Sequence, residues 1–334
     1  MEQTIFRQWN GDAPITEPGV YQNMPLTVYH EGVTEGHSVS HSGIERLFAH
    51  SPAAYWDKCY ANPDRDADAP TEAMVLGRAA HHWFLGERSF QMHFIRRPDK
   101  APDGRAWNGN NLSCIDWLEK AEKRGLTVIT PTQVEALARM HVALSAHPMI
   151  QAGILNGRVE HSFVWRDRTT GLWLKARPDV NPNDTGDFAD LKVVSDISED
   201  GLQSIIARFG YHRQASLVLE GAHYLLGLPL DFRGPGGDKG MSFTLVFVES
   251  KRPHCVEIVT LKPSDIEAGM YENRLAIRLL ARCLKEDDWP GPSGYQGDAR
   301  YLGLRDFHSG HNTLRAAHIK AMLDVMLPQR TEND

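Results

Sequence analysis

Hydrophobic and polar residues alternate with a period of two from residue 160 onward, and this alternation predicts three β-strands. The predicted strands cover residues 160–165, 172–180 and 188–194. Turn-forming residues at 170–171 and 183–186 separate them. Because both connections are short, we expect the three strands to form an antiparallel meander.

Elsewhere in the chain, apolar residues recur at helical spacing. The segment 71–85 is dense in apolar side chains, so we expect a helix that is buried on most sides. Further helices are expected at 42–48, 53–59, 114–123, 131–146, 199–209, 211–226, 264–284 and 313–326, and further strands at 242–249 and 255–261. This order of elements predicts an α+β fold with a central mixed β-sheet flanked by helices.

The chain contains no internal repeat and no low-complexity linker, so one continuous domain is the simplest interpretation. We expect an N-terminal extended segment at 1–37 and a main domain at 38–290. The remaining residues, 291–334, are expected to carry one helix that packs on the same domain.

Composition limits the location of the protein and the kinds of site it can hold. No apolar run reaches the roughly 20 residues that span a bilayer, and the polar N terminus lacks the layout of a secretory signal, so a cytoplasmic protein is expected. The scattered cysteines predict reduced thiols rather than a zinc or iron–sulfur site; they are Cys59, Cys114, Cys255 and Cys283. The net charge of -7 counts mildly against nucleic-acid binding, although an acidic protein can still have a basic cleft.

Two aspartates and a lysine lie around the hairpin between the second and third predicted strands. Asp190 and Lys192 are two residues apart on one strand, so their side chains share a face about 6–7 Å apart. Asp179, near the end of the preceding strand, can face them. Two converging carboxylates repel each other unless a cation lies between them, and oxygen ligands favour magnesium or manganese. Lys192 could then activate a water for attack on phosphorus or stabilise the developing charge.

Spacing alone leaves two interpretations of these residues open, because a D-x-K pattern is short and common. In the first, the three residues form a metal-dependent active site. In the second, Asp179 lies in a turn, and Asp190 and Lys192 are solvated strand residues that lie close together by chance.

The surrounding motifs resemble those of the PD-(D/E)-x-K nuclease superfamily, with Pro178-Asp179 and Asp190-x-Lys192 as the signature. More narrowly, the chain looks like the RecE-type (exonuclease VIII) and RecB-like exodeoxyribonucleases, which are often phage or prophage encoded. The segments that carry the narrower resemblance span roughly residues 38–260; they are Ser51-Pro52, Gly77-x-x-x-His81, Glu160, and Tyr211-His212-Arg213-Gln214. One position departs from the superfamily pattern: Val218 stands where a tyrosine often follows the glutamine.

The resemblance implies a role for each matching residue. The metal ligands would be His81, Asp179, Asp190 and Glu160, and the ion would be Mg²⁺ or Mn²⁺. Asp179, Asp190, Lys192 and Gln214 would be catalytic. DNA contacts are expected from Tyr211 and Arg213, and also from Arg78, because Arg78 lies on the same predicted helix as His81. For Glu160, a surface position on an edge strand remains an alternative.

The resemblance also implies an activity and partners. The protein would be an exonuclease that resects double-stranded DNA from a 5′ end for recombination, by hydrolysis of phosphodiester bonds. It would work with a single-strand annealing protein and form a ring-shaped homo-oligomer. An endonuclease or end-processing nuclease of the same superfamily is one alternative, and a catalytically silent DNA-binding protein with this fold is another.

Overall fold

The computed structural model describes residues 5–11, 14–66, 69–86, 90–159, 161–181, 186–234, 237, 239–294, 299 and 311–326. Within these ranges the helices are α1 (Leu26–His30), α2 (His41–Ala49), α3 (Pro52–Asp57), α4 (Glu72–Phe84), α5 (Leu112–Lys123), α6 (Pro131–Ala146), α7 (Pro148–Gln151), α8 (Glu199–Arg208), α9 (Tyr211–Leu226), α10 (Pro263–Glu286) and α11 (His311–Met326). The strands are β1 (Phe6–Gln8), β2 (Gly19–Gln22), β3 (Ser38–Ser40), β4 (Phe94–Arg96), β5 (Thr127–Ile129), β6 (Arg158–Val159), β7 (Ser162–Arg166), β8 (Trp173–Ala176), β9 (Val180–Asn181), β10 (Asp187–Val194), β11 (Ser242–Glu249) and β12 (Val256–Thr260).

In the described parts of the chain, the strands form two five-stranded sheets and one two-stranded sheet. The first sheet has the order β1-β2-β7-β8-β3, and the second has the order β12-β11-β10-β9-β6. Both sheets are mixed. In the first, β2 runs parallel to β1 and antiparallel to β7. In the second, β10 runs parallel to β11 and antiparallel to β9. The predicted α+β class with mixed sheets and flanking helices is therefore confirmed, but the single central sheet is divided into two.

Helices cover both faces of the second sheet. On one face, Leu191 and Val246 share an apolar core with Ala80 of α4. On the other face, Phe247 shares the main core with Leu219 of α9 and with α10. Strands that are buried on both faces need apolar side chains at almost every position, which is the pattern of β11. Asp190 and Lys192 therefore stand out as charged residues in the middle of a strand that lies between two apolar cores.

The predicted strand 172–180 is wrong as one continuous strand, and so is the simple meander. β8 pairs with β7 in the first sheet, whereas β9 pairs with β10 and β6 in the second. The chain changes sheets at Arg177-Pro178-Asp179. Pro178 has no N–H to donate to a neighbouring strand, and Arg177 donates a hydrogen bond to the carbonyl of Met24 (2.7 Å).

Other expectations need smaller corrections. α4 is buried along one face rather than on most sides, since Ala79 and Ala80 are fully buried while Met74 is 62% exposed. Residues 1–37 contain β1, β2 and α1, so this segment is more than extended surface chain. At the other end, α11 adds Ile319 and Met322 to the main core.

Glu160 and most of the predicted turn at 183–186 lie outside the described residues. In the described part of the chain, every helix is too short or too polar to cross a membrane.

Candidate active site

Asp179 lies where the chain passes from the first sheet to the second. Its Oδ2 accepts a hydrogen bond from the backbone N–H of Leu191 on β10 (2.7 Å). The neighbouring ladder between β9 and β10 pairs Val180 with Ala189. The carboxylate of Asp179 therefore takes the hydrogen bond that a further residue of β9 would otherwise accept, which fixes it at the edge of β10.

Asp190 and Lys192 share a face of β10, as the alternation predicts. Leu191, between them, points to the opposite face and is fully buried in the core next to α4. The ammonium of Lys192 contacts Oδ2 of Asp190, and Gln214 of α9 donates Nε2–H to Oδ1 of the same carboxylate (2.8 Å). Both oxygens of the fully buried Asp190 are thus held by side chains, one from its own strand and one from α9.

His81 reaches the site from α4, on the other face of the sheet. Its Nδ1 bonds to the carbonyl of Gly77 (2.8 Å), and its Nε2 lies 2.9 Å from Oδ2 of Asp179. The first bond fixes the orientation of the ring along the helix. A Cβ at Gly77 would have no neighbour within 4 Å, so no other part of the described chain approaches the helix closely there.

Burial and mutual repulsion set the charge balance of the site. Burial, with the added repulsion of Asp179, raises the pKa of Asp190 to about 6. Burial also acts to raise the pKa of Asp179, but the charge and hydrogen bond of His81 outweigh it and lower that pKa. For His81, burial favours the neutral ring, yet Asp179 raises its pKa to about 9. The two carboxylates thus differ: Asp179 is paired with an imidazolium, and Asp190 is the more easily protonated.

The family assignment follows from a match over most of the chain. Residues 40–299 match the family described as a PDDEXK-like domain of unknown function (DUF3799). The chain belongs to this PDDEXK-like family. The match covers Asp179, Asp190 and Lys192 together with the helices α4 and α9 that meet them.

The fold of this PDDEXK-like domain is also found in a solved structure. A protein from Eubacterium rectale, named as a candidate exonuclease, superposes with a TM-score of 0.55 at 10% sequence identity. The alignment covers 85% of this chain and 97% of that one. At such low identity the likeness shows the fold alone. No curated protein matches the sequence.

The side chains of the PDDEXK-like site are of the kinds that can bind a divalent cation, but in this structure they bond to one another. Two buried carboxylates, close enough that Asp179 raises the pKa of Asp190, are the oxygen ligands that such an ion prefers, and the imidazole of His81 beside them would add a nitrogen ligand. Among the described residues, however, no three His, Cys, Asp or Glu side chains surround a common point. His81 and Asp179 bond to each other, and Asp190 bonds to Lys192. Binding an ion therefore requires these contacts to separate. Glu160, the fourth predicted ligand, lies outside the described residues.

Two residues of α9 are predicted to contact DNA. Tyr211 lies near the site, whereas the prediction for Arg213 is wrong. The ring of Tyr211 lies 4.8 Å from the ammonium of Lys192. Arg213 is 0% exposed, and its guanidinium is ion-paired with Glu45 (2.6 Å) and Glu272 (2.5 Å). A side chain enclosed in this way cannot touch DNA, so Arg213 supports the helix instead. The sequence signal that was missed is that an arginine on a buried helix needs carboxylate partners.

Arg78 and Val218 both lie away from the carboxylates of the site. Arg78, a predicted phosphate contact, is half-buried and donates to the hydroxyl of Thr127 on β5 (2.7 Å), with its guanidinium 5.7 Å from the ring centre of Phe94. Its role with DNA stays a prediction. Val218, which replaces the usual tyrosine, is buried in the main core and so supplies no polar group to the site.

Proposed function

We propose that this protein is a divalent-metal-dependent deoxyribonuclease that hydrolyses phosphodiester bonds. The proposal rests on one observation: the side chains of Asp179, Asp190, Lys192 and Gln214 lie together in one largely buried cluster. Burying two carboxylates and an ammonium costs several kcal/mol per ion and is only in part repaid by their pairing. Perturbed groups of this kind are typical of sites that do chemistry.

Each residue has a role that its position supports. A bound Mg²⁺ or Mn²⁺ would be held by Asp179, Asp190 and His81, with His81 as the neutral ring after loss of a proton, and would supply an acidified water and offset negative charge on the phosphate. Lys192 remains protonated, because the attraction of Asp190 outweighs burial and raises its pKa. Its ammonium can therefore stabilise the charge that develops on the phosphate oxygens. Gln214 holds the carboxylate of Asp190 in one orientation.

Within this function, the favoured activity is exonucleolytic resection of double-stranded DNA from a 5′ end, in recombination. The motifs around Ser51, His81 and Gln214 support the RecE-type comparison, and the fold shared with the Eubacterium rectale protein is consistent with it. A single-strand annealing protein as partner and a ring-shaped homo-oligomer belong to the same proposal.

Digestion of linear duplex DNA with Mg²⁺ tests the chemistry. Asp190→Asn and Lys192→Met should each lower the rate about 100-fold or more, since the first removes a charged ligand of the ion and the second removes the charge that acts on the reacting phosphate. Asp116→Asn and Lys120→Met make the same changes at exposed positions of α5 and should retain wild-type activity. Equal rates in the wild type and both site variants would refute the mechanism.

The choice of substrate separates the exonuclease from the endonuclease. Covalently closed circular duplex should remain intact under conditions that degrade the linear form. Linear DNA labelled at the 5′ end should lose its label before DNA labelled at the 3′ end. Cleavage of the closed circle by the wild type, and not by Asp190→Asn, would replace the exonuclease with an endonuclease.

A further inference from the structure

An exposed aromatic residue stands at the corner between α8 and α9, next to the active site. Phe209 is 46% exposed, and its ring stacks on that of Tyr211 with centres 5.9 Å apart and planes inclined by 21°. The guanidinium of Arg208, the preceding residue, lies 5.4 Å from the centre of the Phe209 ring. Since Tyr211 contacts Lys192, a row of two stacked rings with a cation at each end leads from the active site to the surface.

The backbone holds this corner in place. Gly210 has a left-handed conformation (φ 63°), and a Cβ there would lie 2.1 Å from Oε2 of Glu45. Its carbonyl accepts hydrogen bonds from the backbone N–H of Gln214 (2.9 Å) and from Nε2 of His41 (3.1 Å). Phe209 is therefore presented to solvent by a closely packed turn, so little order has to be gained when a ligand binds.

The exposed row has the chemistry of a single-strand binding platform. Every nucleobase has a π-face that can stack on an aromatic ring, and a guanidinium beside that ring can pair with the flanking phosphate. Arg208 is exposed, and no carboxylate in the described part of the chain forms an ion pair with it, so its charge is available. A base inside a duplex is already stacked on both sides and cannot use such a surface.

We propose that Phe209 and Arg208 bind an unpaired nucleotide of the strand that enters the active site, with the base stacked on Phe209 and its phosphate on Arg208. This inference rests on the proposed nuclease function and narrows its substrate to DNA with unpaired nucleotides at the end. Phe209 is then a specificity-determining residue that acts on binding, while the cleaving groups lie beyond Tyr211.

Fluorescence anisotropy in EDTA tests the platform without cleavage. The probes are a blunt duplex and the same duplex with a four-nucleotide overhang, placed at the 5′ end or the 3′ end. Phe209→Ala should weaken the binding of one overhang probe about 5-fold or more, because one base–aromatic stack is lost. The affinity for the blunt probe should not change. Phe209→Trp should restore the affinity, because indole also stacks.

A matched control comes from Tyr271 on α10, which is 55% exposed. It lies two residues from Gly269, the residue that approaches the backbone of His212, so it projects away from α9. Tyr271→Ala should bind every probe like the wild type. The inference is overturned if Phe209→Ala binds all probes like the wild type, or weakens blunt and overhang probes equally. A change in oligomeric state with unchanged DNA affinity also overturns it, since Phe209 would then serve a protein interface.

Linear-duplex digestion keeps the two failures apart. If the wild type digests DNA and Phe209→Ala retains wild-type preference between blunt and overhang ends, only the platform fails. If the wild type neither binds nor digests any probe, the nuclease function fails, and the platform fails with it.

Discussion

Neighbouring residues of the Tyr211-His212-Arg213-Gln214 segment end in different environments. Successive helical side chains point about 100° apart, so a four-residue motif distributes its members around the helix. Tyr211 and Gln214 face β10, where they meet Lys192 and Asp190. Arg213 points away from them into a buried pocket. The motif by itself shows which residue types are present, but not which of them reach the active site.

Removing the Arg213 guanidinium should destabilise the whole domain. Arg213→Met removes the ion-pair partner of the half-buried Glu45 and leaves the buried Glu272 with His212, and breaking such a buried pair costs about 3–5 kcal/mol. Arg208→Met makes the same change at an exposed position and should cost less than about 0.5 kcal/mol. Urea unfolding followed by circular dichroism measures both. Similar losses for the two variants would show that the buried network contributes little.

At the scale of elements, the active site is assembled where regular structure is interrupted. The break after β8 releases Asp179 from the first sheet and lets its carboxylate bond to β10. α4 brings His81 from one face of the second sheet, and α9 brings Gln214 from the other. Helix starts matter as well, since α2 begins with His41 beside the α8–α9 corner.

His41 should make the protein less stable in acid. Burial, together with the nearby charges of Arg213 and Lys192, lowers its pKa from 6.5 to about 3. Between these values the unfolded chain binds a proton that the folded chain does not. The free energy of unfolding therefore falls as the pH drops below 6.5, by at most about 1.4 kcal/mol per pH unit for this group.

Urea unfolding at about pH 7, pH 6 and pH 5 measures this dependence. His41→Asn removes the titrating ring. The free energy of unfolding of this variant should therefore change less steeply with pH than that of the wild type, by up to about 1.4 kcal/mol per pH unit, the slope that corresponds to one proton. Parallel curves for the two proteins would mean that His41 is protonated equally in the folded and unfolded states.

At the scale of the molecule, an acidic chain concentrates its chemistry at the junction of two sheets. The net charge of -7 argues for no general attraction to DNA, so recognition has to be local. The row from Lys192 through Tyr211 and Phe209 to Arg208 provides such a local surface. The charged residues of the site are enclosed by the apolar cores on either side of the second sheet.

Binding of a divalent ion should stabilise the fold independently of any activity. A ligand that binds the folded state at about 100 times its dissociation constant contributes about 2.7 kcal/mol. Mn²⁺ or Mg²⁺ should therefore raise the melting temperature of the wild type relative to EDTA, and should not do so for Asp190→Asn. Asp116→Asn should respond like the wild type. A shift of equal size in Asp190→Asn would place the ion elsewhere on the protein.

The sequence determined the local features that depend on neighbouring residues. Period and turn chemistry predicted α6, α9 and β11 with their observed bounds, and the alternation along β10 placed Asp190 and Lys192 on one face and Leu191 on the other. The match to the PD-(D/E)-x-K motif identified the residues that lie together in the fold.

Only the tertiary structure decided features that depend on distant partners. Hydrophobic alternation is the same for a strand in either sheet, so the sequence could not show that β8 and β9 separate at Pro178. Nor could it show that Arg213 is enclosed by Glu45 and Glu272, which lie far away along the chain. Burial of a charge is set by what packs around it, and long-range packing creates that environment.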